Sequence, residues 1–142
     1  MFARGISKNQ ISSVFLTHLH DDHCSLFPLL LMPRKVNIIS TKQIYEMAMD
    51  KLSCHINWDI DVVKSFFEFT EVIPGKCINY YGLEIKTHTT VHSIPTIGAT
   101  FSTTYKGLTR RVCIIGDNHG MGAIKDMVGE GIVSKETYTN LR

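Results

Sequence analysis

The sequence predicts an α/β fold built from layered sheets. Strand-like and helix-like segments alternate along the first part of the chain, and the later part is mostly strand-like. That order is typical of proteins in which helices cover sheets around one core. The 142 residues are enough for one compact domain and too few for two, so we expect a single domain over residues 1–142.

The first part of the chain contains two predicted strands and three predicted helices. Residues 11–17 are β-branched and become apolar near their end, which indicates a buried strand. A second strand is predicted over residues 36–40, and helices over residues 23–32, 42–52 and 59–66. Helical spacing predicts that one face of the middle helix is formed by Ile44, Met47, Ala48 and Lys51.

The later part of the chain contains five predicted strands and one helix. The strands cover residues 69–73, 77–81, 83–90, 98–105 and 108–115. The last two are expected to form a hairpin around Lys106-Gly107, because glycine suits the left-handed backbone of a tight turn. A helix is predicted over residues 123–128.

Composition excludes several classes of protein. A net charge of +2 is too small to indicate a dedicated nucleic-acid binder. No run of about 18 apolar residues predicts a membrane span, and the N-terminus lacks the apolar core of a signal peptide. The four cysteines fit neither a zinc ribbon nor a disulfide framework, so we expect mostly buried thiols and a cytoplasmic protein.

The strongest chemical signal is the segment HLHDDH at residues 18–23, directly after the first predicted strand. Histidine nitrogen and aspartate oxygen bind zinc well, and also manganese or iron. Residues i and i+2 of an extended chain point the same way, so His18 and His20 can bind one ion. A sharp turn would direct Asp22 and His23 toward a second ion about 3.5–4 Å away, and two such ions can share a bridging hydroxide.

This segment resembles the H-x-H-x-D-H signature of the metallo-β-lactamase fold hydrolases, and the preceding GISKNQISSVFLT resembles the segment that leads into it. The resemblance implies the αβ/βα sandwich of that family and two divalent metal ions, with zinc favoured and manganese or iron as alternatives. His18 and His20 would bind the first metal, and Asp22 and His23 the second. Asp22 would also act catalytically by receiving or orienting the proton of the nucleophile.

The family further requires a histidine just past a strand and a bridging aspartate in a Gly-Asp pair. His88 and His92 are both candidates for the histidine. We favour His92, because it follows the predicted strand over residues 83–90, whereas His88 lies inside that strand. Asp117, after Gly116, would offer one carboxylate oxygen to each metal.

The chain departs from the family pattern in two places. Family members carry further strands and a helix before the signature, but only 17 residues precede His18. They also supply a last histidine ligand after the Gly-Asp pair, and no histidine follows His119. We therefore expect a domain truncated at both ends, without the last ligand of the second metal.

Two further segments indicate the branch of the family. Ribonuclease Z and cyclic-nucleotide phosphodiesterases contain segments that resemble HSIPTIGATF and HDDHCSLFPLL of this chain. The resemblance implies hydrolysis of a cyclic nucleotide or an RNA phosphodiester by a hydroxide that bridges two metals. It also implies a homodimer. The alternatives are a thioester hydrolase of the glyoxalase II type and a non-catalytic scaffold that keeps the fold.

Overall fold

The computed structural model describes residues 5, 7–21, 24–131, 134, 135 and 139. The chain divides into two compact units, Met1–Glu71 and Val72–Arg142. Each unit contains a β-sheet and at least one helix, which confirms the predicted α/β class. In the part of the chain described, no helix has the length and apolar character needed to cross a bilayer.

The first unit is built on a parallel three-stranded sheet. Strands β1 (Ser13–Phe15), β2 (Val36–Ser40) and β3 (Phe67–Glu71) lie in that order, with β2 in the centre. All five residues of β2 are buried, as expected for a parallel strand covered on both faces. The third strand begins two residues earlier than predicted, because pairing with β2 starts opposite Val36.

Two α-helices connect β2 to β3. Helix α1 (Lys42–Ile56) is capped at its N-terminus by the Thr41 hydroxyl, which accepts a hydrogen bond from the Ile44 amide at 3.3 Å. It ends four residues later than predicted, at Asn57, whose φ of 54° is the left-handed conformation that terminates helices. Helix α2 (Ile60–Lys64) lies within the predicted residues 59–66.

Of the four residues predicted to share one face of α1, two are buried. Met47 and Lys51 are exposed, and the buried side chains are Ile44, Tyr45, Ala48, Met49 and Leu52. The buried set includes Tyr45 because its ring stacks on Phe69 of β3, with 4.1 Å between ring centroids. A contact between residues so far apart in sequence is not visible in helical periodicity.

The helix predicted over residues 23–32 is shorter in the structure and is not an α-helix. A 3-10 helix covers Phe27–Leu31, and residue 23 lies outside the described residues. Pro33 explains the end of this helix, because a residue that precedes proline avoids the α conformation. Met32 is accordingly extended, with φ −78° and ψ 146°.

The second unit is built on an antiparallel sheet of four consecutive strands. They are β4 (Cys77–Tyr80), β5 (Leu83–Thr89), β6 (Ile97–Tyr105) and β7 (Leu108–Ile114). The predicted hairpin between β6 and β7 is confirmed, with positive φ at Lys106 and Gly107. Helix α3 (Met121–Gly129) follows and contains the predicted residues 123–128.

The prediction that most cysteines are buried is wrong. Cys54, Cys77 and Cys113 are exposed, and Cys24 is half-buried. Cys77 and Cys113 point to the face of the second sheet opposite the buried Ile85 and Ala99, because side chains alternate along a strand. One face of an antiparallel sheet commonly meets solvent, and these thiols lie on that face.

Candidate functional site

The first unit brings two of the predicted metal ligands together. His18 and His20 lie in the irregular segment that follows β1. Their rings are perpendicular, with centroids 5.1 Å apart, and their ligand nitrogens lie within 4.8 Å of each other. His18 is buried and His20 half-buried, so a metal held here would be partly shielded from water.

The orientation of the His18 ring is fixed by its neighbour. Its Nδ1 lies 3.0 Å from the Thr17 hydroxyl. With Nδ1 engaged, Nε2 is the nitrogen through which His18 would bind a metal. A hydrogen bond to the second ring nitrogen is the usual way in which proteins orient a metal-binding histidine. The donor chemistry of this pair therefore fits a transition metal.

Asp22 and His23, the predicted ligands of the second metal, lie outside the described residues. The adjacent Asp21 is exposed and pairs with Lys51 of α1, whose ammonium also donates to the Leu19 carbonyl at 3.0 Å. The hydrogen bond and the positive charge of Lys51 lower the pKa of Asp21. Lys51 thus ties the signature segment to α1, and Asp21 is occupied by a surface ion pair.

The second unit brings together two further predicted ligands. His92 lies between β5 and β6, and Asp117 follows β7. His92 Nε2 is 3.7 Å from Asp117 Oδ2, which is too long for a hydrogen bond. Two ligands of one zinc ion, each at about 2.0–2.2 Å from the metal, are separated by a similar distance. The pair therefore has the spacing of metal ligands.

The backbone before Asp117 requires glycine. Gly116 has a φ of +71°, in the left-handed region that side chains disfavour. A Cβ at this position would also lie 2.9 Å from the Ile97 carbonyl oxygen of β6. Gly116 therefore allows the chain to turn tightly against β6 and to present Asp117 beyond the end of the strand.

His88 has a different environment from His92. It lies inside β5 and pairs with Gly98 of β6. A Cβ on Gly98 would come within 2.3 Å of His88 Nε2, so the imidazole packs directly over the glycine backbone. Burial lowers the pKa of His88, which favours a neutral ring. His88 has the character of a packed strand histidine.

One contact in the second unit, around Val91, was not predicted from the sequence. Val91 donates its N–H to Asn118 Oδ1 at 2.9 Å and accepts a hydrogen bond from the His119 N–H at 2.8 Å. The His119 ring is exposed, with its centroid 6.1 Å from that of His92. The sequence signal for this contact is the position of Asn118, directly after the predicted bridging aspartate.

Comparison with known proteins identifies the family. The family model described as the metallo-beta-lactamase superfamily matches residues 1–100, which include His18, His20 and His92. The chain belongs to the metallo-beta-lactamase superfamily. Members of this superfamily generally bind divalent metals, which agrees with the paired ligands in each unit.

Two curated relatives come from Dictyostelium discoideum. The chain is 29% identical over 133 residues to a cGMP-dependent 3',5'-cGMP phosphodiesterase A, covering 92% of the chain and 15% of that protein. It is 27% identical over 139 residues to a cAMP/cGMP-dependent 3',5'-cAMP/cGMP phosphodiesterase B, covering 97% of the chain and 12% of that protein. The chain thus spans only a small part of the length of these relatives.

A solved structure confirms the fold. The crystal structure of the short form of human tRNase Z matches with a TM-score of 0.52 at 18% sequence identity. The match covers 86% of this chain and 56% of that one. The predicted metallo-β-lactamase fold is therefore correct.

Proposed function

We propose that the protein containing this chain is a metal-dependent phosphodiesterase that hydrolyses a cyclic nucleotide or an RNA phosphodiester. The observation that carries the proposal is the order of the ligands along the chain. A His-x-His pair follows β1, a histidine follows β5, and a Gly-Asp pair follows β7. The names of both Dictyostelium relatives and of human tRNase Z support a phosphodiester substrate.

We propose that the two compact units are parts of one metallo-β-lactamase-like domain, in which both supply ligands. His18, His20 and His92 would hold the first metal, Asp22 and His23 would hold the second, and Asp117 would serve both. Zinc is the favoured ion and manganese or iron the alternatives, because nitrogen and carboxylate oxygen suit all three. Such ions supply charge neutralisation of a phosphoryl group and activation of water at neutral pH.

The chain's own residues have distinct roles in this proposal. The Thr17 hydroxyl fixes the His18 ring, so that Nε2 is presented to the metal. Gly116 allows Asp117 to turn beyond the end of β7. Asp22 receives or orients the proton of the attacking nucleophile, a role that requires a carboxylate within reach of the reacting atoms.

Charge placement favours an anionic substrate. Lys106, Arg110 and Arg111 are exposed on or beside the β6–β7 hairpin, and β7 leads to Asp117. Lys106 lies at the turn, at the end of β7 away from Asp117, so these cations would act on an anionic substrate by long-range attraction. A phosphodiester carries a negative charge, whereas the reacting groups of thioesters and β-lactams are neutral.

The test is a side-by-side rate comparison with the full-length protein. The substrates are bis(p-nitrophenyl) phosphate, a cyclic mononucleotide, a short RNA, a glutathione thioester and a β-lactam. We expect turnover of at least one phosphodiester and little turnover of the thioester or the β-lactam. His18→Ala should abolish it, whereas His55→Ala, which alters an exposed histidine in the last turn of α1, should not.

Two outcomes of this comparison would overturn the proposal. Thioester hydrolysis without phosphodiester turnover would place the protein in the glyoxalase II branch. Metal binding with no turnover of any substrate would indicate a non-catalytic scaffold. The homodimer and the cytoplasmic location stay predictions, which light scattering and cell fractionation test.

A further inference from the structure

We infer that Asn118 is a positioning residue, whose side-chain amide holds the His92 segment against the Asp117 segment. The inference rests on the proposed function, because His92 and Asp117 matter here as metal ligands. The carrying observation is a pair of hydrogen bonds around Val91, the residue directly before His92. Its N–H donates to Asn118 Oδ1 at 2.9 Å, and its carbonyl accepts from the His119 N–H at 2.8 Å.

The two hydrogen bonds form a bracket around one residue, Val91, since they engage both its N–H and its carbonyl. They connect residues adjacent to the two proposed ligands, since Val91 precedes His92 and Asn118 follows Asp117. The two ligand atoms are 3.7 Å apart across this bracket. A shift of the Val91 backbone would therefore move His92 Nε2 relative to Asp117 Oδ2.

Two other hydrogen bonds of the His92 segment do not perform this task. Thr90 N–H donates to the Thr96 carbonyl at 3.3 Å, and the Thr96 hydroxyl donates to the Ile94 carbonyl at 2.9 Å. Both bonds lie within the His92 segment, so neither fixes the distance between this segment and Asp117. The bracket at Val91 links the segment to the residues after Asp117.

One of the two hydrogen bonds of the bracket is made by a side chain and can be removed by a substitution. The His119 N–H belongs to the backbone and is present whatever residue occupies the position. The acceptor for Val91 N–H is the Asn118 side chain, so one substitution removes it. Groups that orient metal ligands from outside typically contribute about 10–100-fold to metal affinity.

The experiment measures zinc affinity by competition with a chromophoric chelator, and the visible spectrum of the cobalt-substituted protein. Asn118→Ala removes the acceptor and is expected to weaken binding about 10–100-fold and to alter the cobalt spectrum. Asn118→Asp keeps an oxygen acceptor and should recover most of the affinity. The matched control is Asn79→Ala, which removes an equivalent bond to Gly82 N–H, 3.0 Å long, in the β4–β5 turn.

Each outcome decides the inference. Weakened binding in Asn118→Ala, with recovery in Asn118→Asp and no change in Asn79→Ala, supports it. Unchanged affinity in Asn118→Ala overturns it, and so does an equal loss in the control, which would indicate general destabilisation. A parent protein that binds no metal would sink the proposed function itself and the inference with it.

A second measurement needs no variant and serves if Asn118→Ala does not fold. Metal binding should stabilise the bracket and slow hydrogen exchange at the Val91 amide in the unsubstituted protein. Exchange at this amide that is the same with and without metal would overturn the inference. The Gly82 amide, bonded to Asn79, is the reference and should not respond to metal.

Discussion

His88 and His92 lie only four residues apart and have different chemical roles in this account. His92 lies beyond β5 with its Nε2 3.7 Å from Asp117, whereas His88 packs over Gly98 inside the sheet. We expect His92→Ala to lower zinc affinity by more than about 100-fold, since removing a ligand costs more than removing a group that orients one. Competition titration measures it. His88→Ala should change affinity far less, and the reverse order would mean that His88 is the ligand.

His88 also gives a prediction about pH. Burial lowers the pKa of His88 below its ordinary value of 6.5, so the unfolded chain binds a proton there more readily than the folded one. The contribution of this residue to stability is complete above about pH 6.5 and declines as the pH falls toward the folded pKa. When the pH is lowered from 7.5 to 5.5, the Tm of His88→Gln should therefore fall less than the Tm of the parent protein. Both proteins are measured in the presence of a metal chelator. An identical loss in the two proteins would show that His88 does not contribute.

The candidate ligands could be predicted from sequence because their chemistry is local. His18 and His20 are two residues apart, and their donor atoms define what they bind. The contacts that support the ligand segments could not be predicted. Lys51 meets Asp21 across 30 residues, and Asn118 meets Val91 across 27, so only the folded chain brings them together.

At the scale of the elements, β5, β6 and the end of β7 approach one another closely around Gly98. A Cβ on Gly98 would lie 2.6 Å and 2.7 Å from the backbone oxygens of Ile115 and Ile114, as well as 2.3 Å from His88 Nε2. The imidazole can move, but the two backbone oxygens belong to the last residue of β7 and the residue that follows it. A side chain at position 98 must therefore displace the strand that leads to Asp117.

We expect Gly98→Ala to lower the free energy of unfolding by about 1–3 kcal/mol, the usual cost of overpacking. Urea denaturation measures it. Gly122→Ala in α3 is the control, because a Cβ there meets nothing within 4 Å and alanine favours a helix by up to about 1 kcal/mol. Equal stabilities of the two variants would contradict the packing described here.

Elements with a strong local signal were predicted well, and those governed by tertiary contacts were not. The β6–β7 hairpin was placed correctly, because Lys106-Gly107 carries the turn in its own sequence. The full set of buried residues in α1 was not predicted, because it depends on the stacking of Tyr45 on Phe69. The exposure of Cys77 and Cys113 was also missed, since a strand residue's face depends on which side of the sheet is covered.

At the scale of the whole molecule, the family model accounts for residues 1–100 and human tRNase Z shares the fold. The proposed metal centre takes His18 and His20 from the first compact unit and His92 and Asp117 from the second. Neither pair alone supplies the four ligands of a typical zinc site. We therefore expect tight zinc binding only when both units are present in one folded protein.

Metal stoichiometry tests the central claim most directly. The full-length protein is purified metal-free, titrated with zinc and examined by elemental analysis beside the His18→Ala and His55→Ala variants. The account predicts two zinc ions per chain for the parent and for His55→Ala, with loss of tight binding at the first site in His18→Ala. A zinc content near zero in the folded parent, or full occupancy in His18→Ala, would contradict the account.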